Sequence, residues 1–128
     1  MERQERREQI LNILAAGIRK VLLNTVPKPE ELQEIRMRLG QPLRVVRGKE
    51  EIVLRSGTEP YIVTKEELRE TMDYISHYSL YAYENELRQG FVTVEGGHRV
   101  GVAGKVIMEK ERVKNIQYIS SLNIRISH

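Results

Sequence analysis

The run Gly101-Val102-Ala103-Gly104-Lys105 is the first place in this chain where residue types and spacing could do chemistry. A glycine-rich loop ending in lysine can cradle phosphates on its backbone N–H groups. That loop also needs a Gly six positions before the Lys and a Ser or Thr after it. Arg99 and Val106 hold those two places, so the turn and the magnesium-binding hydroxyl are both missing. The same glycines fit the G-x-x-G string with which KH domains clamp a nucleic-acid backbone, but that loop joins two helices. Here the string sits inside an apolar/polar alternation, where glycines mark a bulge or a close backbone approach.

Two arginines are the better candidates. Arg99 follows the Gly96-Gly97 turn by two residues and precedes Val100, and Arg125 lies close to His128 between Ile124 and Ile126. On a plain sheet both are solvated face residues, where ion pairs contribute little. Set against a neighbouring subunit, a fixed guanidinium fork can reach a phosphate. Arginines supplied in trans act by stabilising charge on a transferring phosphoryl group. Other chemistry is thin. The chain has no Cys, which excludes thiolate metal sites, thiol nucleophiles and disulfides. His77, His98 and His128 are scattered without metal-ligand spacing, and Glu95, His98 and Glu109 make neither a carboxylate pair nor a triad. No enzyme site is visible from residue types alone.

Three blocks must position these residues. From Glu2 to about Asn24, Ile10, Leu14, Ile18 and Val21 recur at helical spacing, with Leu11 and Leu22 widening the stripe. This predicts one amphipathic helix, stopped by Asn24 and the prolines at 27 and 29. The chain then divides into a helix and hinge over 1–27 and an α+β domain over 28–128. Packing on its own domain is the ordinary fate of such a helix. Docking to a neighbouring subunit, a partner or a membrane surface is the alternative. Arg3, Arg6, Arg7, Arg19 and Lys20 favour the membrane version, and the acids among them weaken it.

The second block alternates in the strand manner, with Ile35, Met37 and Leu39 on one face and Glu34, Arg36 and Arg38 on the other. Turns at Gly40-Gln41-Pro42 and Arg47-Gly48-Lys49 separate it from Leu43–Val46 and from Glu51–Leu54, and Ser56-Gly57 turns the chain toward Tyr61–Val63. Loops this short imply an antiparallel meander. In the third block, Thr64 through Glu67 is a capping box opening a helix through Leu68, Met72 and Ile75. Ser79 is a candidate cap for a second helix ending at Gly90, a position that favours a left-handed residue. From Phe91 the period returns to two, through a turn at Glu95-Gly96-Gly97 and a long strand over 98–108. A charged turn at 109–111 then leads into two further strand segments, VKNIQYIS and LNIRIS. The expected fold is α+β, mainly antiparallel, with a helical pair between two strand blocks and the amphipathic helix in front. Tyr74, Tyr78, Tyr81 and Tyr83 crowd the helical pair, where helix packing and a partner-facing surface are the readings preferred over base stacking.

Charge and hydropathy limit the class. A net charge of +3 from 21 basic and 18 acidic residues is a mild excess, without the concentrated patch of a dedicated nucleic-acid binder. No apolar run approaches the ~20 residues that span a bilayer. The charged start has no secretory signal, so a cytosolic protein is expected.

The segments Glu34–Leu43, Tyr61–Ser76 and Tyr78–Val106, continued by Tyr118–Ser127, resemble the stage III sporulation protein AA family. The specific part is ELRQGFVTVEGGHRVGVAGKV. The nearest competitor is a plastid and cyanobacterial group with a similar ATPase. The resemblance implies a mother-cell protein of endospore-forming bacteria, similar to the hexameric ATPases of type II secretion and type IV pilus systems. It implies that the full-length protein uses ATP and Mg to energise the channel complex joining mother cell and forespore. The expected partners are further copies of itself, as a hexamer, and inner-membrane proteins of that complex. No nucleic acid is expected, and any membrane association is peripheral. In such proteins the phosphate-binding loop lies beyond the segment matched by Asn123-Ile124-Arg125. This chain is therefore expected to be an N-terminal domain that cannot hydrolyse ATP alone, with no cofactor of its own. The related secretion ATPases set an arginine-bearing N-terminal domain over nucleotide. By that resemblance, phosphate sensing falls to Arg99, in His98-Arg99-Val100, and to Arg125, with Arg88 at a helix end as a third candidate. The reading from residues alone keeps a small KH-like nucleic-acid-binding module as its alternative.

Overall fold

The computed structural model describes residues 2–109 and 112–128, the side chains of 106–109 and 112–117 apart. The amphipathic stretch at the start forms two helices rather than one: α1 (Arg3–Asn12) and α2 (Ala16–Thr25). Neither a glycine nor a proline sits at the break, and the N-cap residue Ala15 offers no side-chain cap. The cap comes from far along the chain. Ala15 N–H donates to Thr71 Oγ1 at 3.0 Å and Ala16 N–H to Glu70 Oε2 at 2.8 Å. The carbonyls at the end of α1 are met from the other side, by Arg19, whose Nε and Nη2 donate to Leu11 O at 2.9 Å and Leu14 O at 3.0 Å. Helix ends leave such groups orphaned, and a continuous helix would have satisfied them internally. Tertiary partners make the bend possible instead. Ile10, Leu14, Ile18 and Leu22 are fully buried in the common core, so both helices pack on the sheet domain itself.

A 3₁₀ turn at Pro29–Glu31 leads into the meander β1 (Glu34–Arg38), β2 (Arg44–Arg47) and β3 (Glu50–Val53), followed by a two-stranded hairpin of β4 (Arg55–Ser56) and β5 (Glu59–Pro60). Helix α3 (Lys65–Ile75) starts on the expected capping box: Glu67 N–H donates to Thr64 Oγ1 and Thr64 N–H to Glu67 Oε1. The second member of the helical pair is shorter than expected. Leu80–Tyr83 is 3₁₀, and only Glu84–Gln89 (α4) is α-helical; Ser79 makes no side-chain cap. Gly90 ends α4 at φ 86°, the left-handed conformation that glycine adopts without strain.

Beyond it, β6 (Phe91–Thr93), β7 (Arg99–Glu109) and β8 (Arg112–Arg125) complete a six-stranded antiparallel sheet in the order β3-β2-β1-β8-β7-β6. The two closing segments are one continuous strand, β8. Of the charged turn expected at 109–111, Lys110 and Glu111 lie outside the described residues. The architecture is α+β, with the helices on one face of the sheet. Ile35, Met37, Val45, Val92, Val100, Leu122 and Ile124 point to that face and are buried. Past Gly101 and Ser121, β7 and β8 pair only with each other, as a two-stranded arm. The arm's register shifts at Ala103/Gly104, where a Cβ on Gly104 would lie 2.2 Å from the Tyr118 carbonyl oxygen. The G-x-x-G string is thus a bulge with a close backbone approach inside a strand, not a loop between helices.

Candidate functional site

The face of the sheet turned away from the helices carries the charge. Period-two alternation and the register settle which side chains share it. Thr93, Arg99, Arg125, Glu34, Val46 and Glu51 form one row across the strands. Phe91, Gly101, Asn123, Arg36, Arg44 and Val53 form the next, and Ala103, Ser121 and Arg38 begin a third. Arg99 and Arg125 are therefore direct cross-strand partners, and both are exposed.

Their surroundings differ. Arg99 lies over the Phe91 ring, its Cζ 4.3 Å from the centroid, and has no carboxylate partner among the described residues. Cation–π contact at an exposed site is worth about 0.5–1 kcal/mol, enough to orient the guanidinium without neutralising it. Arg125 approaches Glu34, Nε to Oε1 at 3.6 Å, too long for a hydrogen bond. The other oxygen of Glu34 accepts a hydrogen bond from Arg36 Nε at 2.8 Å. Arg36 also bonds Glu51, which Arg44 meets at 3.0 Å. The hydrogen bond to Glu34 is the main reason the Arg36 guanidinium holds its proton even more firmly than usual. Glu34 and Glu51 thus offset Arg36 and Arg44 across β1–β3, Arg38 has no ion pair among the described residues, and positive charge is left in excess where β7 meets β8. Like charges directly opposite each other on a sheet are destabilising, so an adjacent arginine pair at the end of a balanced ladder is suited to an anion brought from outside.

A shallow depression of ≈ 300 Å³ lies beside Arg125 along the β1–β8 seam, lined in part by Arg36, Arg38, Ser121 and Asn123. The Asn123 side-chain oxygen is buried there without a hydrogen-bond partner. Arg88 stands apart from this site. It is on α4, held by Glu84 at 2.8 Å, and no hydrogen bond, ion pair or ring contact joins it to Arg99 or Arg125 among the described residues. Lys105 lies out on the β7–β8 arm, opposite Tyr118. Sequence reasoning did not single out Glu34, Arg36, Arg38 or Phe91 as site residues. The alternation had placed the first three on one face, but that β1 lies beside β8 is a fact of topology.

His98 has a different role from its neighbour Arg99. It is fully buried on the helix side, accepts at Nδ1 from Ser127 N–H at 2.9 Å and meets Gln9 Oε1 with Nε2 at 3.1 Å. The first bond fixes the neutral tautomer with the proton on Nε2, which ties the end of β8 to α1. Burial, then the charges of Arg6 and His128, lower the His98 pKa below its usual value. The unfolded chain takes up the proton first as pH falls, so stability is expected to hold above about pH 6.5 and to decline below it. Comparing urea unfolding near about pH 7.5 and about pH 5.5 checks this. The loss should shrink in His98→Gln, and an equal loss in the variant would assign it to other groups.

The tyrosines gather at another groove of ≈ 360 Å³, lined by residues including Ile13, Tyr74, Tyr78 and Tyr83. Tyr74 and Tyr78 pack edge to face at 6.2 Å, and the Tyr74 hydroxyl donates to Glu70, the carboxylate that also caps α2. No group of His, Cys, Asp and Glu among the described residues could hold a metal ion, and no helix among them is long and apolar enough to cross a membrane.

No solved structure matches this chain. The stage III sporulation protein AA of Bacillus subtilis (strain 168) is 36% identical over 121 residues, which cover 93% of this chain and 38% of that protein. The chain thus spans less than half the length of the curated relative it matches. A family model described as sporulation stage III, protein AA, matches residues 4–128. Nearly every element described above falls within that match, including the sheet, its arginine face and the buried His98, and the chain belongs to the stage III sporulation protein AA family.

Proposed function

We propose that this chain is the N-terminal assembly and nucleotide-sensing domain of a hexameric secretion-type ATPase, one that energises the channel complex between mother cell and forespore. The observation that carries the reading is the direct pairing of Arg99 with Arg125 on an open sheet face, at the unbalanced end of an ion-pair ladder. Two guanidinium forks side by side fit the charge and the planar recognition of a polyphosphate. The matched stretch is 38% of the relative, and the reading places the nucleotide-binding loop in the remainder. ATP with Mg is then bound by the assembled protein, and this domain supplies arginine to it. Arg88, tied to Glu84 on α4, is a weaker candidate for that contact than the opposed pair. The domain works in the mother-cell cytoplasm, beside inner-membrane components of the channel complex and at most peripheral to the membrane. The test is ATP turnover by assembled full-length protein. Arg99→Ala and Arg125→Ala should retain the fold and lose most of the rate. Unchanged turnover in a confirmed hexamer would end the assignment.

A second reading, nucleic-acid binding, has one observation in its favour: an open antiparallel face that combines Phe91 with Arg36, Arg38, Arg44, Arg99 and Arg125. Arginine with an aromatic ring on a sheet face suits single-stranded RNA or DNA. The G-x-x-G string gives it no help, since it lies within β7. Binding at low salt with a steep salt dependence would support it, and no binding at low salt would remove it.

A further inference from the structure

We infer that Glu34 is a resident carboxylate standing in for phosphate, which holds Arg125 in reserve and sets the affinity of the arginine pair for nucleotide. The inference rests on the reading of Arg99 and Arg125 given above and concerns how that site is regulated.

The argument starts from the unequal grip of the two Glu34 oxygens. Oε2 accepts a 2.8 Å hydrogen bond from Arg36 Nε, a short charge-assisted contact. Oε1 stands 3.6 Å from Arg125 Nε, whose side chain is 69% exposed. An ion pair of that length and exposure contributes little and costs little to give up. Arg36 is also held by Glu51, and Glu51 by Arg44, so β1–β3 form a rigid charged base that keeps Glu34 in place. When Arg125 leaves, Glu34 stays. Arg125 is thus the one member of the ladder with a single weak tether, and it is also the member opposite Arg99.

Two consequences follow for an incoming phosphate. It must displace Glu34 from Arg125, and it must then sit near a carboxylate that does not move away. The first makes engagement an exchange of one anion for another at the same guanidinium, with little net change in its solvation. The second is a standing repulsion, blunted by Arg36. Both lower the affinity of the arginine pair relative to a site without Glu34. A weakly held nucleotide contact that can be made and broken in each cycle suits a sensor better than a permanent clamp does.

The experiment uses full-length protein, with ATP as the probe, and measures KM, kcat and binding of ATP. Glu34→Gln keeps the shape and the hydrogen bond to Arg36 but removes the charge. It should tighten ATP binding and lower KM by about 1.5-fold to fivefold, the size of one exposed ion pair, while kcat moves less. Glu34→Asp should remain near wild type. In an Arg125→Ala background, Glu34→Gln should change ATP binding less than it does in the wild type, because only the repulsion remains to be relieved. Glu50→Gln, on the same sheet but outside the ladder, should leave KM as it was. If Arg125→Ala abolishes turnover while Glu34→Gln leaves KM unchanged or raises it, this inference fails and the reading of the arginine pair stands. If neither arginine variant affects ATP binding or turnover, both fail together.

Discussion

If Arg99 contacts nucleotide as proposed, Arg99→Lys in the full-length protein should lose nearly as much ATP turnover as Arg99→Ala, a fall of about 10³-fold or more for either. Lysine keeps the positive charge, so a purely Coulombic role predicts partial rescue. Two features argue against rescue. Arg99 lies over Phe91 at 4.3 Å, and a flat guanidinium is aligned by that ring in a way a compact ammonium is not. Its partner across the strands is Arg125, so an anion bound as proposed would be met by two forks, and replacing one fork by a point charge would lose the bidentate geometry. Turnover of the assembled full-length protein, with thermal melting to confirm an intact fold, is the measurement. A lysine variant with more than about a tenth of wild-type activity would reduce the site to a simple positive patch.

The second large effect concerns stability. Thr71→Val should cost about 1–3 kcal/mol, the penalty for leaving a buried N–H without an acceptor. Thr71 is fully buried, and its hydroxyl is the hydrogen-bond acceptor for Ala15 N–H, itself in a fully buried residue. Valine matches its shape, so no cavity confounds the result. Thr71→Ser should recover most of the loss, since the oxygen is restored. Glu70→Gln, which meets the more exposed Ala16 N–H, should cost far less. Urea titration reads this as a shifted midpoint at constant slope. A midpoint within error of wild type for Thr71→Val would mean that water or a rearranged helix end satisfies Ala15.

That same contact shows why the sequence was legible in parts. Local signals were read correctly: the capping box at Thr64–Glu67, the left-handed Gly90, and the alternation that puts Ile35 and Met37 inward and Arg36 and Arg38 outward. Each is decided within a few residues by sterics or periodicity. The break between α1 and α2 was illegible because nothing at Ile13–Ala15 disfavours helix. The residues that cap the start of α2 lie more than fifty positions away. The continuity of β8 was missed for a related reason. Ser120-Ser121 looks like a pause in the strand, but Ser121 pairs with both Arg38 and Ala103, and the Ser120 carbonyl accepts from Leu39 N–H. Arg99 and Arg125 stand out in the sequence as arginines on strands and through the family resemblance. Their juxtaposition depends on the register of a hairpin with three irregularities, and spacing alone does not determine that. Glu34 entered the site only because β1 is the neighbour of β8.

The position of β8 has a consequence for how the molecule acquires its structure. The strand order places the final strand of these 128 residues between β1 and β7, so Glu34 must wait for Arg125, 91 residues later, before its pairing can form. During synthesis the meander β1–β3 can close early, but β1 keeps one bare edge, and Ile35 and Met37 remain uncovered by their strand neighbour until β8 arrives. A chain in this half-made state exposes a strand edge and apolar surface, the combination that invites association with other nascent chains. Arg38, on the opposite face and without an ion pair among the described residues, gives that intermediate a positive charge of its own, while Glu34 and Glu51 offset Arg36 and Arg44. The charge on that face thus guards the incomplete sheet until β8 covers the edge of β1.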